Sequence, residues 1–300
     1  MIDSSFANAG FTNCAYWFSG LSSLVEVSGF ESMTGITTAT QMFASCSALE
    51  SIYATSFTNA ISSGSMMFYN CQHLVGGTDG FVPSNTSGAT VCKIGTGGVL
   101  TNPSSDIREW CKVFVYSDGE VVFTATGSVD ANKTLLASGR LCVSAKYNAS
   151  GIIPGYANRA QMRSVAFAAD MANYNYVNTN YWFYGLGAIT SFTGIANLAN
   201  VHEMQYTFSS CTGVTSLDFR GFDPSGLTSL YLTFGSCSNL VTIYADSSWT
   251  LPSSGLSGSQ TFYNCSSLVG GNGTTYASSR NSYTYMRIDA ANSVGYLTVA

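Results

Sequence analysis

One arrangement of apolar positions recurs seven times along the chain: a phenylalanine, a compact apolar residue three positions on, and an aliphatic residue three further. It reads Phe43-Cys46-Leu49, Phe68-Cys71-Leu74, Phe208-Cys211-Val214, Phe234-Cys237-Leu240 and Phe262-Cys265-Leu268. Leu replaces Cys in Phe18-Leu21-Leu24 and Phe183-Leu186-Ile189. The anchors lie 25 and 25 residues apart in the first half and 25, 26 and 28 apart in the second. Such a period marks a repeat architecture in which no single unit buries its apolar face alone.

Upstream of the anchor, apolar or small residues fall seven and four positions before it, as in Ile36 and Ala39, Val201 and Met204, and Leu227 and Leu230. With the anchor and the site three beyond it, that spacing predicts one face of a short helical turn. Downstream the period shortens: Leu49-x-x-Ile52-x-Ala54, Val214-x-x-Leu217-x-Phe219 and Leu240-x-x-Ile243-x-Ala245 end in the alternation of a strand. The expected fold is therefore an α+β repeat solenoid, with a parallel sheet and short helical turns stacked so that the phenylalanines line a buried column.

A larger duplication contains the small one. Tyr16-Trp17-Phe18-x-Gly20-Leu21 matches Tyr181-Trp182-Phe183-x-Gly185-Leu186 at an offset of 165 residues. Phe68-Tyr69-Asn70-Cys71 matches Phe262-Tyr263-Asn264-Cys265 at an offset of 194, so the first module is one repeat shorter. Between them, Lys112-Val-Phe-Val-Tyr116 and Glu120-Val-Val-Phe-Thr124 flank Asp118-Gly119, a hairpin signal. Arg140–Tyr147 is a candidate third strand and Ser164–Phe167 a strand entering the second stack. Three segments are expected: a first repeat module over 1–107, an antiparallel cap over 108–168, and a second repeat module over 169–300. The opening residues match the middle of the second module's entry, so the chain reads as a piece of a longer secreted array.

Cys and Leu exchange at the third position after the anchor, which predicts that Cys46, Cys71, Cys211, Cys237 and Cys265 serve packing, as a buried thiol is a small hydrophobe. Nine cysteines cannot all pair internally. The state of Cys92, Cys111 and Cys142, outside the repeat, stays open. No CxxC pair occurs, and neither His73 nor His202 stands at ligand spacing from a cysteine, so no metal or cofactor is expected.

Charge changes the picture of partners. Charged residues make up only 9% of 300 positions, with 11 Lys+Arg against 16 Asp+Glu. The chain has no cationic footprint for phosphates, which argues against nucleic acid. No apolar run is long enough to span a bilayer. A surface of Ser, Thr, Asn and Gly suits an extracellular or cell-surface setting.

The Trp-Phe-x-Gly-Leu motif, the recurring Phe-x-x-Cys-x-x-Leu and the closing Leu-Val-Gly-Gly resemble the BspA-like leucine-rich repeat proteins, a group overlapping the mycoplasma lipoprotein-associated repeats. The match is best from Tyr181 to Thr298 and fair from Phe6 to about Gly80. The resemblance implies a leucine-rich-repeat-like stack and a bacterial surface protein that adheres to host or neighbouring cells.

On such strands the residues between the buried ones face outward. That predicts three rows as a binding face for protein or glycan: Ser51, Tyr53 and Thr55; Ser216, Asp218 and Arg220; Thr242, Tyr244 and Asp246. Tyr and Arg are favoured anchors at interfaces. The leading reading is a non-enzymatic adhesion scaffold. A glycan-binding fibre or receptor-binding component of a phage or virion shares the same texture. A glycan-active enzyme is the minor alternative, since no catalytic triad, phosphate loop or nucleophile elbow is visible.

Overall fold

The computed structural model describes residues 1–106 and 108–299, so the expected module limits at 107 and 300 fall outside the described residues. The helix-bearing solenoid is not what the chain forms. Among the described residues there is no α-helix, only 3₁₀ turns of three to five residues, and the short strands are distributed over four separate sheets.

The reason lies two residues to either side of each anchor. Tyr16 and Gly20, Gln41 and Ser45, Met66 and Asn70, Tyr181 and Gly185, Tyr206 and Ser210, Leu232 and Ser236, and Gln260 and Asn264 all have positive φ. A left-handed residue every fourth position breaks a helix at its first turn. The amides then alternate. Met42, Ala44 and Cys46 donate three residues back, to Ala39, Gln41 and Phe43, at 3.1 Å each. Ala39, Gln41, Phe43 and Ser45 instead leave the local chain and donate to Ser63, Ser65, Met67 and Tyr69 of the next repeat at 2.7–3.1 Å. Met204, Tyr206, Phe208 and Ser210 repeat the second set against Ser229, Tyr231, Thr233 and Gly235. The apolar spacing of a helix face is thus met by consecutive tight turns laddered onto the neighbouring repeat. Each non-glycine left-handed residue costs roughly 1–2 kcal/mol, offset by the inter-repeat hydrogen bonds and the packing beneath them.

Two compact units result. The first comprises Met1–Arg108 with Ser144–Asn148. Its parallel sheet joins β1 (Glu26–Val27), β2 (Ser51–Tyr53) and β3 (Leu100–Thr101). Phe18, Phe43 and Phe68 stack at 5.0 and 5.8 Å between ring centroids, near parallel, over a core of Ile36, Met42, Leu49 and Ile52. Phe43 and Phe68 are fully buried, whereas Phe18 is only partly so.

The second unit comprises Glu109–Val143 with Ala149–Ala300. It opens with β4 (Trp110–Tyr116), β5 (Glu120–Thr124) and β6 (Leu135–Cys142), antiparallel, followed by β7 (Ser164–Phe167). Gly119, at φ +92, closes the hairpin, and a Cβ there would meet the Gln161 carbonyl at 2.7 Å. β6 ends five residues before the expected Tyr147; the Val143 amide still bonds the Glu109 carbonyl in the register of the ladder, and the Val143 carbonyl then accepts the Asn178 amide at 2.7 Å. Two further parallel pairings, β5 to β7 and β7 to β9 (Ser191–Thr193), make this one five-stranded mixed sheet. β8 (Val177–Asn178) pairs with β10 (Val201–Glu203), and β11 (Ser216–Asp218), β12 (Thr242–Ala245) and β13 (Leu297–Val299) form a parallel trio. Phe183, Phe208, Phe234 and Phe262 are buried and stack at 5.9, 5.7 and 5.4 Å.

The anchor cysteines do more than fill space. The thiols of Cys46, Cys71, Cys211, Cys237 and Cys265 each donate to the carbonyl of the preceding anchor: Phe18, Phe43, Phe183, Phe208 and Phe234, at 2.9–3.2 Å. Leu21 and Leu186 stand in the first repeat of each unit, where no preceding anchor offers a carbonyl. All nine cysteines are buried, and no disulfide occurs among the described residues.

Candidate functional site

The outward rows lie on the two parallel trios. Along β11 and β12, Leu217, Ile243 and Ala245 are buried while Ser216 and Asp246 are exposed and Asp218, Thr242 and Tyr244 half-buried. The parallel register sets Ser216 beside Thr242 and Asp218 beside Tyr244. Arg220 lies just past the strand and folds back on Asp218, with Nε to Oδ1 at 2.9 Å and Nη2 to Oδ2 at 2.6 Å. Its guanidinium carbon sits 5.8 Å from the centre of the Tyr244 ring. The hydrogen bond from Arg220, with its charge, holds the Asp218 carboxyl below the usual carboxylate range against a smaller opposing effect of burial. The arginine is thus already engaged by its own row.

The first unit departs from expectation at Ser51. This residue is 1% exposed, and its hydroxyl accepts from Arg108 Nη2 at 2.7 Å. Arg108 also donates to the Val75 carbonyl. A serine covered by a guanidinium takes no part in an open row. Tyr53 is half-buried and Thr55 exposed.

What the structure adds is a groove in each unit at the C-terminal ends of these strands. In the second unit a depression of about 380 Å³ is lined by Phe222, Asp223, Asp246, Ser248 and Trp249, with the Gly221 and Pro224 backbone turn. Asp246 Oδ2 accepts the Gly221 amide at 2.6 Å, which fixes one carboxylate oxygen. Asp223 accepts the Ser225 amide at 2.9 Å, and that bond holds its carboxyl below the usual carboxylate range. Trp249 is held in place by its Nε1 donating to the Met286 carbonyl at 3.0 Å and by stacking on Phe222 at 6.1 Å.

The first unit's groove, about 390 Å³, is lined by Glu26, Glu31, Tyr53, Thr55, Gly29 and Pro103. Glu31 accepts the Thr55 amide at 3.4 Å. Each groove therefore joins an aromatic ring, two carboxylates and a hydroxyl. Tyr53, Thr55 and Asp246 were legible as outward strand positions; Glu26, Glu31, Asp223, Ser248 and Trp249 were not, because they stand at or beyond strand ends where no periodicity marks them.

No model of a protein family, no curated protein and no solved structure matches this chain. Among the described residues no cluster of three or more His, Cys, Asp or Glu side chains has metal-binding geometry, and no helix is long and apolar enough to cross a membrane.

Proposed function

We propose that the chain is a non-enzymatic surface-binding protein whose ligand is a neutral glycan, received in the strand-end grooves. The observation that carries this reading is the recurrence of one composition in both units: Tyr53 with Glu26 and Glu31 in the first, Trp249 with Asp223 and Asp246 in the second. Fixed carboxylates accept hydrogen bonds from sugar hydroxyls, and a half-exposed ring packs against the apolar face of a pyranose. Small-molecule sites combine a few placed polar groups with apolar walls in this way. No lysine or arginine is among the residues lining either groove. An anionic sugar would meet two carboxylates, which favours neutral chains.

A location outside the cell and a role in adhesion accord with the low charge and hydroxyl-rich surface, and with the resemblance of the repeat motifs to BspA-like proteins. The helical turns that the apolar spacing suggested are no part of the reading.

A glycan array followed by calorimetric titration of the hits tests it. Asp246→Asn and Tyr53→Ala, each with an unaltered unfolding transition, are expected to weaken binding by at least about tenfold, a loss of 1.4 kcal/mol. Retention of full affinity by both variants together would refute it.

A further inference from the structure

In the second unit the residue two before the anchor is tyrosine in consecutive repeats, Tyr181 before Phe183 and Tyr206 before Phe208. Both take the left-handed backbone, at φ 61 and 56, which no bulky side chain favours. The inter-repeat ladder holds them in register. The Tyr181 amide donates to the Gln205 carbonyl at 2.9 Å and the Phe183 amide to the Thr207 carbonyl at 3.0 Å, one on each side of Tyr206. The two rings stack, with centroids 4.6 Å apart and planes 24° from parallel. Tyr184 and Tyr231 meet Tyr206 edge-on at 5.7 and 5.4 Å. All four are half-buried, so the cluster borders solvent. Burial, and then the neighbouring hydroxyls of Tyr231 and Tyr181, hold the Tyr206 phenol above its ordinary pKa, so the hydroxyl ends of the three rings lie together.

We infer that Tyr181 and Tyr206 form an oxidative cross-linking site, joined as a dityrosine when hydrogen peroxide and a haem peroxidase act on the protein. Stacked rings with adjacent hydroxyls set the two Cε carbons, ortho to those hydroxyls, across from one another. Each phenol gives up one electron and its hydroxyl proton, and the two phenoxyl radicals join Cε to Cε. The hydrogens on those carbons then move to the ring oxygens as the phenols re-form. The pair loses two electrons and two protons in all, which reduce one hydrogen peroxide to two waters through the peroxidase. The edge-on rings of Tyr184 and Tyr231 do not oppose Cε to Cε in this way. Held in place, the reacting groups couple in an effectively unimolecular step, ahead of encounters between exposed tyrosines such as Tyr69 and Tyr263 on separate molecules. The thiols offer little competition, because all nine are buried. A bond between residues 25 positions apart restricts the unfolded chain as a disulfide does, and it ties the first repeat of the second unit to the next. None of the four tyrosines lines either groove, so the inference stands apart from the glycan reading.

The test treats the dilute full chain with a haem peroxidase and hydrogen peroxide, isolates the monomer by gel filtration, and reads dityrosine fluorescence and a peptide map by mass spectrometry. The monomer is expected to gain the fluorescence and a linked peptide pair joining Tyr181 to Tyr206, lighter by two hydrogen atoms than the separate peptides. Tyr181→Phe and Tyr206→Phe keep the rings, with folding checked by the thermal transition, and each should abolish that pair. Tyr263→Phe, which removes an exposed phenol outside the cluster, should leave it unchanged. A monomer without the link, a link undiminished by Tyr206→Phe, or one that joins Tyr181 to Tyr184 instead would overturn the inference. So would dityrosine confined to dimers and larger species, because the coupling would then be a matter of encounter between surfaces.

Discussion

The thiol of Cys237 lies 2.9 Å from the carbonyl oxygen of Phe208, the anchor one repeat earlier. That carbonyl already accepts the Cys211 amide at 3.0 Å within its own turn. The thiol thus supplies a second, inter-repeat donor inside a dry column. Val in place of Cys237 fills similar space without a donor. We expect Cys237→Val to lower stability by about 1 kcal/mol, the net worth of a modest hydrogen bond, with the urea m-value unchanged. Equal stability would mean that the position requires bulk alone.

Phe234 lies between Phe208 and Phe262, fully buried. Phe234→Ala is expected to cost about 3–5 kcal/mol, as for large-to-small changes of buried aromatics. Ser279, exposed in the closing segment, should be nearly silent when changed to Ala. Chemical denaturation of both variants checks the contrast, and comparable losses would contradict a buried stack.

Gly185 follows its anchor by two residues at φ +76, and a Cβ added there meets nothing within 4 Å. Any effect of Gly185→Ala is therefore backbone strain, expected at roughly 1–2 kcal/mol. Gly185→Asn should cost less, since Asn tolerates the left-handed region and already occupies the equivalent sites at Asn70 and Asn264. Urea midpoints that fall equally for both variants would remove the left-handed requirement.

Asp170 links the 3₁₀ turn after β7 to the end of β5. Burial acts to raise its pKa. The amides of Ala125 and Thr126 and the hydroxyls of Thr124 and Thr126, donating at 2.8–3.0 Å, outweigh burial and bring it from 3.8 to about 2. A depressed folded-state value means that the carboxylate stabilises the fold fully above about 3.8 and loses that contribution as pH falls through about 2. Asp170→Asn should therefore be less stable than the parent at pH 7, with the gap closing as pH approaches 2. Denaturation midpoints across that range measure it; a gap independent of pH would contradict the linkage.

The strands of the repeat were legible because an L-x-x-L-x-small pattern leaves little choice of face: Ser51–Tyr53, Ser216–Asp218 and Thr242–Ala245 fall where Ile52, Leu217 and Ile243 demand. The hairpin was legible through Asp118-Gly119. The turns were not. Apolar residues at seven and four before the anchor, at it and three after suit a helix as well as they suit consecutive turns. The residues that decide between them, two either side of each anchor, include Tyr16, Gln41 and Leu232, whose side chains carry no sign of a positive φ. Only Gly20, Gly185, Asn70 and Asn264 hinted at it. Ser51 misled for a different reason: its alternation is that of an outward residue, but Arg108, 57 positions away, folds over it. In the grooves, Asp246 and Tyr53 carried the strand period, whereas Trp249 and Asp223 belong to turns that only the fold brings alongside.

The repeats close over dry phenylalanine columns, and all nine cysteines, within the columns or outside them, are buried. Burial drives the Cys71 and Cys237 thiols up to about 12, and it raises the others that flank the anchors as well. A thiol that is neither ionised nor accessible does not react. The most direct measurement is the rate of alkylation of the native protein at pH 8, read by mass spectrometry. All nine cysteines should remain unmodified on the time scale in which the unfolded chain is fully labelled, and should become reactive together at the unfolding midpoint. Rapid modification of Cys46, Cys71, Cys211, Cys237 or Cys265 in the absence of denaturant would contradict the account.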